Sequence, residues 1–219
     1  MDKIYHGDCL DILETIGNNS IDLVITDPPY GDNCGYGRGN KEILNNEDES
    51  INYKFLDKIY PKMKDNTSLY LFSNWKFEGY LRSYIENNTN FNIRMLIIIV
   101  KNNIGMGYGF RNQYEVCLVL EKGKAKYNFN NFSNVLKMDN INHSEETHPH
   151  TKHLNIIEKI IKHSSSENDV VFDGFLGSGS TVEACIRTNR RYIGVELDHK
   201  WFDLINKRLE KWKGQKTLF

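Results

Sequence analysis

Residues 169–181 read DVVFDGFLGSGST, and this stretch says most about the architecture. An apolar run from Val170 to Phe172 ends in Asp173, Gly177 and Gly179 follow, and Thr181 to Arg187 carries helical spacing. That is a strand, a glycine-rich turn and a helix, and the glycines let the backbone bend tightly and come close to a ligand. The next segment, RRYIGVE, reads as a strand ending in Glu196, where an acidic side chain can accept both hydroxyls of a ribose. A phosphate-binding P-loop is excluded, because the turn has no lysine before its Ser-Thr pair. GSGST does not fit a nucleophile elbow. A dinucleotide fingerprint wants a third glycine where Val182 stands. A nucleoside cofactor without a pyrophosphate, or a plain strand–turn–helix junction, remains.

Working outward, short apolar runs alternate with helical patterns. Ile21–Thr26, Ser68–Phe72, Ile93–Val100, Glu115–Leu120, Val170–Phe172 and Tyr192–Val195 read as buried strands. Ile51–Met63, Phe77–Glu86, Leu154–Ile161, Thr181–Arg187 and Trp201–Leu209 read as helices. This alternation predicts an α/β fold with a mainly parallel sheet, which binds ligands beyond the carboxyl ends of its strands. Two segments look irregular, 31–50 with its glycines and 124–147 with its asparagines and aromatics.

The composition fits a chain of 219 residues forming one domain. Hydrophobic residues at 39% exclude a wholly disordered chain. No apolar run approaches membrane-spanning length, and no basic, apolar leader is read at the start, so the expectation is a soluble cytoplasmic protein with no membrane partner. The four cysteines show no C-x-x-C spacing and read as reduced thiols. With 28 Lys plus Arg against 29 Asp plus Glu, the total charge neither favours nor excludes a nucleic-acid partner.

Half of the four prolines stand in one dipeptide, directly after the strand Ile21–Thr26: Asp27-Pro28-Pro29-Tyr30. The exocyclic amine of a nucleobase is a poor nucleophile, because its lone pair is delocalised into the ring. Two acceptors on its two N–H bonds can hold it nearer to tetrahedral geometry. The Asp27 carboxylate suits one acceptor position and the Pro28 carbonyl the other, on a backbone stiffened by two pyrrolidine rings. Tyr30 can stack on the base, and Trp75 can assist from the next strand end. A rigid turn with a capping aspartate is the plainer alternative.

Together, DPPY and FDGFLGSGST resemble the amino-group DNA methyltransferases that modify adenine N6 or cytosine N4. Because DPPY comes first and the glycine loop near the end, the chain resembles their circularly permuted β class. HGDCLDIL at 6–13, the block 100–123 and HPHTKH at 148–153 are similar to further segments of that class. His150, Thr151 and His153 depart from the usual Thr, Gln and Pro, as Gly174 and Ser180 depart from proline and threonine. A metal reading of His148, His150 and His153 finds no template among known zinc spacings, so no metal is expected.

The resemblance implies a single Rossmann-like class I methyltransferase domain over 1–219, its mainly parallel sheet containing an antiparallel strand. It implies S-adenosyl-L-methionine as cofactor. The residues expected to bind it are Asp8, Cys9, Asp27, His150, Thr151, Lys152, Asp173, Gly174, Phe175, Gly177, Ser178, Gly179, Ser180, Thr181, Glu196 and Leu197. Asp27, Pro28, Pro29 and Tyr30 are expected to be catalytic. Duplex DNA is the expected substrate, methylated at adenine N6 after base flipping, with 31–50 and 124–147 touching the DNA. Cytosine N4, RNA adenine and a non-catalytic partner subunit are the alternatives. A homodimer and a cognate restriction endonuclease are further partners that the resemblance suggests.

Overall fold

The computed structural model describes residues 2–29, 50–105, 108–138 and 154–216. In chain order these form β1 (Lys3–His6), α1 (Cys9–Thr15), β2 (Ile21–Thr26), α2 (Ser50–Ile59), β3 (Met63–Ser73), α3 (Glu78–Asn88), β4 (Asn92–Val100) and β5 (Tyr114–Lys122). Then come β6 (Val135–Lys137), α4 (Leu154–Ser164), β7 (Val170–Asp173), α5 (Ser180–Arg187), β8 (Arg191–Glu196) and α6 (His199–Lys216). The strands make one sheet in the order β1-β8-β7-β2-β3-β5-β4-β6. Only β5 runs against its neighbours, pairing antiparallel with β3 and β4, while every other pairing is parallel.

Both faces of this sheet are covered, which is why its strands read as continuous apolar runs rather than alternating ones. The two-residue side-chain period still sorts them. Leu23, Ile25, Tyr70, Phe72, Cys117 and Val119 face α4, α5 and α6, while Val24, Leu69, Leu71, Leu118 and Leu120 face α1, α2 and α3. Among the described residues, no helix is long and apolar enough to cross a membrane.

All six expected strands are present, and the differences lie at the margins. The helix expected over 51–63 stops at Ile59, and a 3-10 turn at Tyr60–Lys62 follows. Pro61 forbids continuation, and Met63, which prolongs the helical apolar spacing, is instead the first residue of β3. β1, α1 and β6, of four, seven and three residues, were too short to show a period.

The expected DNA-contacting segment 124–147 divides. In its described part, the rings of Tyr127, Phe129 and Phe132 surround His163 with centroids 4.7, 4.5 and 4.5 Å away. Tyr127 also donates to Glu121 Oε1 at 2.8 Å, late in β5. These aromatics therefore pack on the amino-terminal half of the parallel strands, away from the edge where a substrate would bind. Residues 139–147 of this segment lie outside the described residues, as do 30–49.

Leu176, in the loop between β7 and α5, lies over Gly194 of β8. A Cβ on Gly194 would meet Leu176 Cγ at 2.8 Å and both of its methyls. Gly194→Ala is expected to destabilise the protein by about 1–3 kcal/mol through overpacking, read as a lower urea midpoint with an unchanged slope.

Candidate active site

The strand order reverses direction between β2 and β7. The connection after β2 goes through α2 on one face to β3, and the connection after β7 goes through α5 on the other face to β8. Two neighbouring parallel strands thus send their chains apart, and a crevice opens beyond their carboxyl ends. DPPY leaves from β2 and the glycine loop from β7, so two motifs that stand far apart in the sequence begin side by side.

Asp173, the last residue of β7, joins them. Its carboxylate is fully buried and accepts from three donors: Thr26 Oγ1 at 3.1 Å, the Phe175 N–H at 3.0 Å and Thr181 Oγ1 at 2.6 Å. Thr26 Oγ1 in turn accepts from the Gly174 N–H at 3.3 Å. Burial nevertheless pushes the Asp173 carboxyl up to about 6; its three donors oppose the shift and the nearby Asp27 charge adds to it. One side chain therefore ties the end of β2, the start of the glycine loop and the first turn of α5.

The loop itself is held from every side. A Cβ on Gly174 would stand 2.5 Å from Cys9 Sγ and 3.0 Å from the Phe55 ring. Gly177 and Gly179 adopt φ of 54° and 85°, the left-handed region that glycine enters without strain. Gly179 caps α5, and a side chain there would also press on Ile205 and Trp212 of α6. Arg208 of α6 donates to the Ser178 carbonyl at 3.1 Å. Ser178 is buried, with its hydroxyl 3.2 Å from that of Ser180. The ring of Phe175 meets Phe55 edge-on at 5.6 Å.

Glu196, the last residue of β8, lies beside this loop. Its Oε2 accepts from the Gly177 N–H at 2.7 Å and its Oε1 from the Asp198 N–H at 2.8 Å. Burial raises it to about 7, against the pull of those two N–H groups. Its carbonyl accepts from the Gly7 N–H at 3.0 Å, which brings the end of β1 to the same edge. There Asp8 caps α1 through the Leu10 N–H at 2.7 Å, and Leu197 is partly exposed. Cys9 faces the core, and burial pushes its thiol well up, so the side chain is an inert packing group.

On the β2 side, Pro28 is buried while Asp27 and Pro29 are half-buried. Asn52 of α2, fully buried, donates from Nδ2 to the Pro29 carbonyl at 2.7 Å. Its Oδ1 accepts no hydrogen bond among the described residues. Trp75 stands exposed two residues past the end of β3. Tyr30, His150, Thr151 and Lys152 lie outside the described residues.

Thr26 and Asn52 escaped the sequence reading. Asn52 left a trace there: with Phe55, Leu56 and Ile59 it completes an apolar helical stripe in which it is the only polar member. Thr26 left none, since a threonine ending a strand is ordinary.

The electrostatics have a measurable consequence. Asp173 and Glu196 both titrate higher in the folded chain than the usual 3.8 and 4.5. Protons therefore favour the folded state, and this contribution is present below the usual carboxylate range and lost as pH rises through about 6–7. The ligand-free protein should unfold at lower urea at about pH 8 than at about pH 5.5. Glu196→Gln should remove part of that slope, on the order of 2 kcal/mol.

Comparison with known proteins agrees with this geometry. Residues 21–207 match the family model N6_N4_Mtase, described as DNA methylase. The chain is 26% identical over 232 residues to the Type II methyltransferase M.HpaI of Haemophilus parainfluenzae, covering 95% of this chain and 74% of that one. The structure of M1.HpyAVI in complex with S-adenosylmethionine superposes with a TM-score of 0.71 at 26% identity, covering 95% of this chain and 98% of that one. The cytosine-N4-specific PvuII DNA methyltransferase shares the fold at a TM-score of 0.79 and 15% identity, over 98% and 92% of the two chains. With the match running from β2 into α6, the chain belongs to the N6_N4_Mtase family of DNA methylases.

Proposed function

We propose that the protein transfers a methyl group from S-adenosylmethionine to the N6 amine of an adenine flipped out of duplex DNA. The observation that carries this reading is the Thr26–Asp173 hydrogen bond, which sets the DPPY turn and the glycine loop at one crevice. The adenine preference rests on the DPPY resemblance. Cytosine N4 is the second reading, favoured by the fold shared with a cytosine-N4-specific enzyme.

The residues present fit the cofactor. The loop beside Glu196 turns on Gly177, whose N–H donates to Glu196, and Glu196 is a buried acceptor at the end of β8. Glu196 and the loop Gly174–Thr181 would hold the nucleoside, with Asp8 and Leu197 beside them. His150, Thr151 and Lys152 are assigned to the cofactor by resemblance. When bound, S-adenosylmethionine supplies an electrophilic methyl group on a sulfonium centre.

The chain's own groups do the remaining work. The Asp27 carboxylate and the Pro28 carbonyl accept from the two N–H bonds of the target amine, so that its lone pair is available for attack. Asn52 fixes the turn by holding the Pro29 carbonyl, and Tyr30 stacks on the base. After transfer, the methylated amine gives up its surplus proton and Asp27 accepts it. Catalysis here is positioning and electrostatics and needs no protein nucleophile. Pairing with a cognate endonuclease and assembly as a homodimer belong to the same reading.

Asp27→Ala should reduce labelled-methyl transfer to DNA by more than about a hundredfold, the lower bound of what one positioned proton acceptor contributes. Calorimetry should find its cofactor affinity within a few-fold of the parent's. A variant that turns over at the parental rate would end the mechanism.

A further inference from the structure

The antiparallel pair β4–β5 does not stop at the edge where the site lies. Beyond Val100 the two chains stay linked by two more backbone bonds, with the Lys101 N–H donating to the Gln113 carbonyl and the Gly105 N–H to the Asn112 carbonyl, each at 2.8 Å. Gln113 Nε2 donates back to the Lys101 carbonyl at 3.1 Å, and Lys101 pairs with Glu115 at 2.8 Å. The result is an arm standing off the carboxyl edge of the sheet.

What the arm presents is unlike the rest of the surface. Tyr108 and Phe110 are fully exposed, at 102% and 106%, and Ile104 is half-exposed. An aromatic ring left wholly in water contributes nothing to the fold. Two of them on one braced arm mark a binding surface. From Lys101 to Tyr114 the charges are Lys101, paired with Glu115, and Arg111. Trp75, also exposed and beside Lys76, stands at the end of the adjoining β3. Apolar rings interleaved with cations suit stacked bases flanked by phosphates.

The position selects the partner further. β3 and β5 lie next beyond β2, so at a strand spacing of about 4.8 Å the arm is rooted about 10 Å from the DPPY strand. A B-DNA major groove is about 12 Å wide. A duplex delivering a base to Asp27 therefore passes over the arm. Extruding a base leaves a gap in the stack, which apolar wedges can fill.

We infer that the β4–β5 arm is the duplex-opening element of this protein. Phe110 enters the gap left by the extruded nucleotide, Tyr108 stacks beside it, and Arg111 holds the adjoining phosphate. The inference rests on the function proposed above and adds to it the element that engages the helix.

The test compares Phe110→Ala, Tyr108→Ala and Arg111→Ala with the parent on unmethylated genomic DNA, both duplex and heat-denatured. Phe110→Ala should lose roughly tenfold or more of its methylation rate on duplex DNA, the size of one lost stack. On denatured DNA its rate should stay within a few-fold. Tyr108→Ala should show the same pattern more weakly. Arg111→Ala should lower the salt slope of duplex binding by about 1. Cofactor affinity and melting temperature should not move in any variant. Equal losses on both forms of DNA, or none on either, would overturn the wedge. So would a dimer that Phe110→Ala splits in sedimentation with duplex methylation intact, which would make the arm a contact between copies. A parent protein that modifies neither form of DNA would remove the functional reading itself, and the wedge with it.

Discussion

The buried carboxylate of Asp173 is the constraint on which the site depends. A carboxylate taken wholly out of water is costly unless donors surround it. Here they come from three places, the end of β2, the loop after β7 and the first turn of α5. Satisfying that one group therefore fixes where DPPY begins relative to the glycine loop. The carboxyl still sits near 6, so its burial is only partly compensated and the ionised latch costs the protein some of its stability. A site that must hold a cofactor and a base in register gains from such a rigid junction.

Glu196 repeats the arrangement one strand farther out. Two backbone N–H groups reach it, one from the glycine loop and one from the turn into α6. Arg208 and the α6 residues packed on Gly179 close the loop from the other side. The parallel half of the sheet thus carries the crevice proposed for the cofactor. The half containing antiparallel β5 carries the arm proposed to meet the duplex. β2 stands between them with the proposed acceptors.

Much of this was legible in the sequence, and the rest was hidden for identifiable reasons. Strands buried on both faces announce themselves as unbroken apolar runs, and DPPY and FDGFLGSGST could be read locally because a short turn dictates their chemistry. The edge strand β1, KIYH, is half-exposed and defined by its pairing with β8, nearly the whole chain away. Met63 continued the spacing of α2 yet belongs to β3, because Pro61 redirects the chain while the same core receives the side chain. Tyr127, Phe129 and Phe132 belong to a segment expected to touch DNA and enclose His163, a partner that no local pattern reveals. Tyr108 and Phe110, unremarkable in the sequence, stand out only once their exposure is known.

The central claim is amino methylation of a DNA base at the junction of β2 and β7. The most direct measurement incubates the protein with duplex DNA and S-adenosylmethionine carrying a deuterated methyl group, then digests the DNA and identifies the nucleosides by mass spectrometry. The account predicts deuteromethyl label on the N6 of deoxyadenosine. Label on the N4 of deoxycytidine would keep the chemistry and correct the base. Label on a ring carbon, or none despite demonstrated cofactor binding, would contradict it.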